Sequence, residues 1–138
     1  MQVIVTGATS FIGAATVKKL MEAGHRVFAV VRPASSNMKH LETMAAGNTP
    51  GSLSICPLDL AEIRTLHGFL ADAWVHIGWD GAGSDNRTKR DVQQRNVTYA
   101  LDAVEAAAAL GCHRFLFTGS QAEYGVWHQT VAEDTPCH

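Results

Sequence analysis

Val3-Ile4-Val5-Thr6-Gly7-Ala8-Thr9-Ser10-Phe11-Ile12-Gly13-Ala14-Ala15 runs from apolar strand-forming residues through a turn of small residues into a helix-forming segment. A buried strand that becomes a helix in this way is where a dinucleotide pyrophosphate docks. Glycine lets the backbone turn tightly and approach the ligand, and the free N–H groups at the helix start face the phosphates with the positive end of the helix dipole. Each dipole–anion contact of this kind is worth roughly 0.3–1 kcal/mol. The stretch therefore nominates Gly7, Thr9, Ser10, Phe11, Ile12 and Gly13 as cofactor-binding residues. Glycine-rich turns also join strands and helices that bind nothing, so the reading depends on what flanks this one.

The flanks alternate regularly. Residues 13–23 are amphipathic and stop at Gly24, and Arg26-Val27-Phe28-Ala29-Val30-Val31 reads as a second buried strand, completing a βαβ unit. The turn Arg32-Pro33-Ala34-Ser35-Ser36-Asn37 offers N-caps to a helix over 38–46, residues 47–51 form a loop, and Leu53-Ser54-Ile55-Cys56 is a short third strand. Residues 60–70 are predicted helical, 73–77 a fourth strand, 78–84 a Gly-rich loop and 88–110 a long helix closed by Gly111. His113-Arg114-Phe115-Leu116-Phe117-Thr118 is a fifth strand, apolar on both faces as a central parallel strand requires, with Phe115, Phe117 and Trp74 assigned to the core.

Strict alternation of this kind means an α/β doubly wound parallel sheet, a Rossmann architecture, ordered 3-2-1-4-5 because crossovers are right-handed. Ligands then bind at the C-terminal ends of the strands. After Gly125 only Val126-Trp127 and a polar stretch over 129–138 remain, so a sixth strand is not visible and the architecture is expected to be C-terminally incomplete.

At 138 residues and 46% hydrophobic content the chain suits one domain with a real core. The net charge of −2, with Lys and Arg dispersed, supplies no basic stripe for nucleic acid or an anionic membrane surface. No apolar run approaches the roughly 20 residues that span a bilayer, and no basic-then-apolar leader opens the chain, so a cytoplasmic protein is expected. Cys56, Cys112 and Cys137 are odd in number and widely spaced, which argues against a disulfide framework, and Cys56 and Cys112 read as small buried residues. The seven His residues show no spacing suited to a metal, and no metal is expected. Two glycosylation sequons, at Asn86 and Asn96, lack the secretory route they would need.

Taken in order, several motifs resemble the extended short-chain dehydrogenase/reductase family, in particular its NAD(P)-dependent epimerase/dehydratases acting on nucleotide sugars. Thr6-Gly7-x-x-Ser10-x-x-Gly13 resembles the TGxxGxxG loop, and Asp59-Leu60 resembles the pair lining the adenine. His76-Ile77-Gly78-Trp79 is similar to the segment beside the nicotinamide ribose, and Asn96 stands where the family has a structural Asn. Gly119-Ser120-Gln121-Ala122-Glu123-Tyr124-Gly125 resembles the S-S-x-x-x-Y-G segment, followed by an E-x-x-P at Glu133-Asp134-Thr135-Pro136. The resemblance implies a cofactor cradle that includes Asp59, Leu60, His76, Ile77, Gly78 and Asn96. Ser120 would be the catalytic hydroxyl that hydrogen-bonds the substrate against the nicotinamide. Trp79, Gln121, Glu123 and Tyr124 would border the substrate. Asp59 also reads as a helix N-cap, Ser120 as a residue satisfying a local turn, and Trp79 as a loop anchor.

Three departures bear on function. Ser10 replaces the middle glycine, and its hydroxyl is expected to donate to the pyrophosphate because the backbone there does not need a positive φ. Arg32 stands where NAD-selective proteins carry an acidic residue, and its charge suits the 2′-phosphate of NADP, which is therefore the expected cofactor ahead of NAD; the competing reading is an exposed loop residue. The family's Tyr-x-x-x-Lys is absent: Ala103 follows four residues after Tyr99, His128 four after Tyr124, and no Lys occurs after Lys89. The chain is thus expected to comprise, over 1–138, the NAD(P)-binding domain of an epimerase, dehydratase or reductase without its substrate lobe, binding cofactor and turning over little. The rival is a non-catalytic NADP(H)-binding, redox-sensing module. A third reading is a truncated piece whose exposed sheet edge pairs with a second copy, giving a homodimer with no biological meaning.

Overall fold

A computed structural model describes residues 1–81, 85–126, 128 and 130–137. The segment 82–84 of the expected Gly-rich loop, and residues 127, 129 and 138 of the tail, lie outside the described residues. The elements run β1 (Gln2–Thr6), α1 (Phe11–Glu22), β2 (Arg26–Val31), α2 (Met38–Ala45), β3 (Ser52–Pro57), a 3-10 helix (Leu60–Thr65), β4 (Ala73–His76), α3 (Arg90–Ala109), β5 (Arg114–Phe117) and a final 3-10 turn (Gln121–Tyr124). All strand pairs are parallel, in the order β3-β2-β1-β4-β5, which is the topology expected from the alternation.

The two-residue period of the strands divides the core. Val3 and Val5 join Val17, Met21, Val27, Ala29, Val31 and Leu41 beneath α1 and α2, while Ile4 joins Ile63, Trp74, Ala103, Ala106 and Leu110 beneath α3. From α3, Ala103, Ala106 and Ala107 are buried in this second cluster. Pairing aligns the strand ends that matter: Thr6 stands opposite Val30 on one side and His76 on the other, and His76 stands opposite Phe117. The loops that follow these residues therefore leave the sheet along one edge.

Three expectations need correction. Residues 60–70 are not one helix, because only Leu60–Thr65 form a 3-10 turn and Leu66 is extended at φ −63°, ψ 121°. Tertiary packing overrides the local pattern, since Leu66 and Phe69 pack against the α3-side core and Phe69 stacks on Phe28 at 4.7 Å. The strand β5 is the sheet edge among the described residues, so although Phe115 stacks on Trp74 at 6.2 Å, Phe117 is half exposed rather than core. Cys56 and Cys112 are half-buried rather than buried, and partial loss of water raises both thiol pKa values, helped at Cys112 by the charge of Asp72.

Trp74 is completely buried on β4. Trp74→Ala removes the largest core side chain and should cost about 3–5 kcal/mol, read as a lowered urea midpoint with an unchanged slope.

Candidate functional site

Gly7 leaves β1 with φ +71°, and a Cβ there would stand 2.6 Å from the backbone nitrogen of Gly78. The chain can therefore turn above β1 only if this residue has no side chain, and the loops after β1 and β4 lie against each other. At Gly13 a Cβ would collide with the carbonyl oxygen of Gly7. Between them Ser10 caps α1 from extended backbone at φ −73°, ψ 166°, its Oγ accepting from the Gly13 N–H at 3.0 Å. The negative φ expected at Ser10 is present. Its oxygen is used as an acceptor inside the turn, so the hydroxyl hydrogen is what Ser10 has left to donate.

Beside this turn a cavity of about 460 Å³ opens at the strand ends. Of the residues nominated from sequence it collects Gly7, Thr9 and Ser10 from the first turn, Arg32 from the end of β2, and Asp59 and Leu60 after β3. Ile77, Gly78 and Trp79 close it from β4. Asp59 serves as N-cap as well, accepting from the Ala61 N–H at 3.0 Å, so both readings of this residue hold geometrically. Trp79 also joins its two readings, donating from Nε1 to Gln93 Oε1 at 2.9 Å while it lines the cavity and meets Phe117 edge-on.

Other nominated residues stand outside the lining. The Phe11 side chain is 93% exposed and Ile12 also faces outward, so what these two offer a ligand is the backbone N–H of the first helical turn. Gly13 is buried under the turn. Asn96, 1% exposed, acts on a backbone: its Oδ1 accepts from the Asp80 N–H and its Nδ2 donates to the Asp80 carbonyl, both at 2.8 Å. Ser120 begins a capping box in which its Oγ accepts from the Ala122 N–H at 3.2 Å and Glu123 Oε1 accepts from the Ser120 N–H at 2.7 Å. Tyr124 closes that turn and is half-buried, and the side chain of Gln121 lies outside the described residues.

The sequence reading missed Asp80, Tyr99 and the Ser35, Ser36, Asn37 loop, all of which line the cavity. Tyr99 had a usable signal, since it lies three residues after Asn96 and so on the same helix face. In the sequence the loop residues read only as helix caps. Asn37 Nδ2 in fact ties this loop to the Thr9 carbonyl at 3.3 Å. Among the described residues no three His, Cys, Asp or Glu side chains gather as a metal set, and no helix is long and apolar enough to cross a membrane.

His76 lies beneath the cavity, 1% exposed, with Nδ1 2.9 Å from Thr6 Oγ1 and its ring between Phe115 and Phe117. Its Nε2 meets no hydrogen-bonding group among the described residues. Burial disfavours the imidazolium and lowers the pKa from 6.5 to about 4.

A strand–glycine turn–helix at the switch point of a 3-2-1-4-5 parallel sheet, with a cavity beside the helix start, defines a nucleotide-binding Rossmann-type domain. Residues 3–138 match the NAD dependent epimerase/dehydratase family, and the chain belongs to that family. It is 30% identical over 142 residues to UDP-glucose 4-epimerase 4 of Oryza sativa subsp. japonica, aligning 98% of this chain with 37% of that protein. Among solved structures, MoeE5 in complex with UDP-glucuronic acid and NAD superposes on the whole chain at TM-score 0.77 and 25% identity. The Bifidobacterium longum UDP-glucose 4-epimerase in complex with NAD+ and UDP does so at TM-score 0.84 and 22% identity, a likeness of fold. This chain covers 43% of each of those two chains, so it spans about two-fifths of the length of these three relatives.

The buried His76 carries a pH prediction. Its native pKa lies below its unfolded value, so its contribution is present above pH 6.5 and is lost as pH falls toward 4. The loss should reach about 3 kcal/mol. Urea midpoints measured between pH 7 and pH 4 should fall more steeply for the wild type than for His76→Gln.

Proposed function

We propose that this chain is the NAD(P)-binding part of an enzyme that epimerises, dehydrates or reduces a sugar carried on a nucleotide. The observation that carries the reading is the cavity beside the α1 N-terminus, framed by the turn in which neither Gly7 nor Gly13 has room for a side chain. The cradle fits a dinucleotide by this test, and at about 460 Å³ it lies in the usual range for ligand sites. The N–H groups of Phe11 and Ile12 and the Ser10 hydroxyl would hold the pyrophosphate, while Asp59 and Leu60 would border the adenine. When bound, the nicotinamide supplies hydride exchange with a sugar carbon.

Arg32 would bind the 2′-phosphate of NADP, which makes NADP the preferred cofactor and NAD the weaker one. Ser120 would donate its hydroxyl hydrogen, which its cap leaves free, to a substrate oxygen. Trp79, Gln121, Glu123 and Tyr124 would border the substrate. No Tyr-x-x-x-Lys lies within these 138 residues, so the proton-transferring base is assigned to none of them and the chain by itself should show little turnover. The nucleotide-sugar class rests on family membership and on relatives whose names specify UDP-sugars.

Calorimetric titration of the purified chain tests this reading. NADP and NAD should both bind the wild type, and Gly7→Val, whose side chain the turn cannot admit, should bind neither. Arg32→Ala should weaken NADP at least tenfold, a charge-assisted contact being worth about 1.5–3 kcal/mol, and leave NAD nearly unchanged. Binding of NAD as tight as NADP by the wild type would remove the role given to Arg32.

Association of two copies through β5 is a separate reading, a consequence of an uncovered edge and not of the enzyme's function, since β5 pairs only with β4 among the described residues and its Leu116 and Phe117 are half exposed. Sedimentation velocity should show a concentration-dependent dimer. A single monomeric species across the accessible range would remove this contact.

A further inference from the structure

The cavity has an unfavourable charge balance for the cofactor assigned to it. Among the described residues its lining holds one cation, Arg32, and two carboxylates, Asp59 and Asp80. Asp59 is occupied with capping, but Asp80 faces Arg32 directly, Oδ1 standing 3.4 Å from Nη1. The two residues come from different loops, after β2 and after β4, and meet across the crevice between the strand ends.

Asp80 does not reach this position by chance of side-chain flexibility alone. The buried amide of Asn96 holds both backbone groups of Asp80 at 2.8 Å, so the loop must deliver its carboxylate close to that point. Arg32 and Asp80 retain 66% and 48% side-chain exposure, which leaves the pair weak enough to open. Ribose hydroxyls can bind without disturbing it. A 2′-phosphate that takes Arg32 as its partner competes with Asp80 for the guanidinium charge.

We propose that Asp80 is a cofactor-selectivity residue: by occupying Arg32 it selectively penalises NADP and narrows the preference that Arg32 creates. This rests on the reading of the cavity as a dinucleotide site. The Arg32–Asp80 pair, rather than Arg32 alone, sets the ratio of the two affinities. Asn96 is a positioning residue that acts through the backbone of Asp80.

The test is a double-mutant cycle read by calorimetry with NADP and NAD. Asp80→Asn preserves the two backbone bonds to Asn96 and should raise the NADP-to-NAD affinity ratio roughly three- to fivefold, almost wholly through NADP. In an Arg32→Gln background the same change should leave the ratio within twofold of its parent. Asp80→Ser, a second uncharged variant, should reproduce the effect, and Asp80→Glu should restore a ratio near the wild type. Equal changes in both affinities, or a gain that persists without Arg32, would overturn the proposal while leaving the dinucleotide site intact. Failure of the wild type to bind either nucleotide would overturn the reading of the cavity itself, and the role of Asp80 with it.

Discussion

The close approach of three backbone segments above β1 governs the molecule. Gly7 must clear Gly78, and Gly13 must clear Gly7, so the loops after β1 and β4 and the first turn of α1 share a space that admits no side chain at either glycine. That constraint aims α1 back over the sheet, where Val17 and Met21 find Val3, Val5 and Val27. It also brings the start of α1 beside the ends of β2 and β4, which is what creates a cavity there. The same contact that closes the core on one side of β1 thus opens the site at its end.

The fold was legible because continuous apolar strands and their intervening helices demand burial on both faces, and right-handed crossovers leave few ways to order such strands. Strand β2 was readable to the residue, and its neighbours within one or two. Residues 60–70 were misread because a helical pattern of apolar residues also serves a turn that must drop Ile63, Leu66 and Phe69 onto an already formed sheet. Phe117 was misread for a related reason. An apolar strand looks central in sequence whether or not a neighbour covers it.

In the site, residues that act through backbone geometry or on the strand ends were the readable ones. Gly7, Ser10, Asp59 and Gly78 announce themselves by spacing against elements that are themselves predictable. Asp80 was not, because its partner Arg32 is 48 residues away and their meeting depends on the register of β2 and β4 about β1. A pairing of two charged loop residues has no local signature. Arg32 read alone implied a free cation, and the fold supplies it with a counter-charge.

The polar groups buried at the strand ends follow a common logic. Thr6, His76 and Asn96 are the buried polar residues of the described chain, and each satisfies a neighbour from another element. Thr6 and His76 join β1 to β4 side chain to side chain in the row where Phe117 completes the stack. Asn96 joins α3 to the loop that follows β4. An unpaired buried polar atom costs about 1–3 kcal/mol, so these partners favour one relative placement of β1, β4 and α3 over sliding alternatives. Apolar side chains of similar size would bury as well but would not choose that placement. The cavity residues Gly78, Trp79 and Asp80 lie between His76 and the Asn96 contact, so their positions are inherited from polar pairs that need not touch a ligand at all.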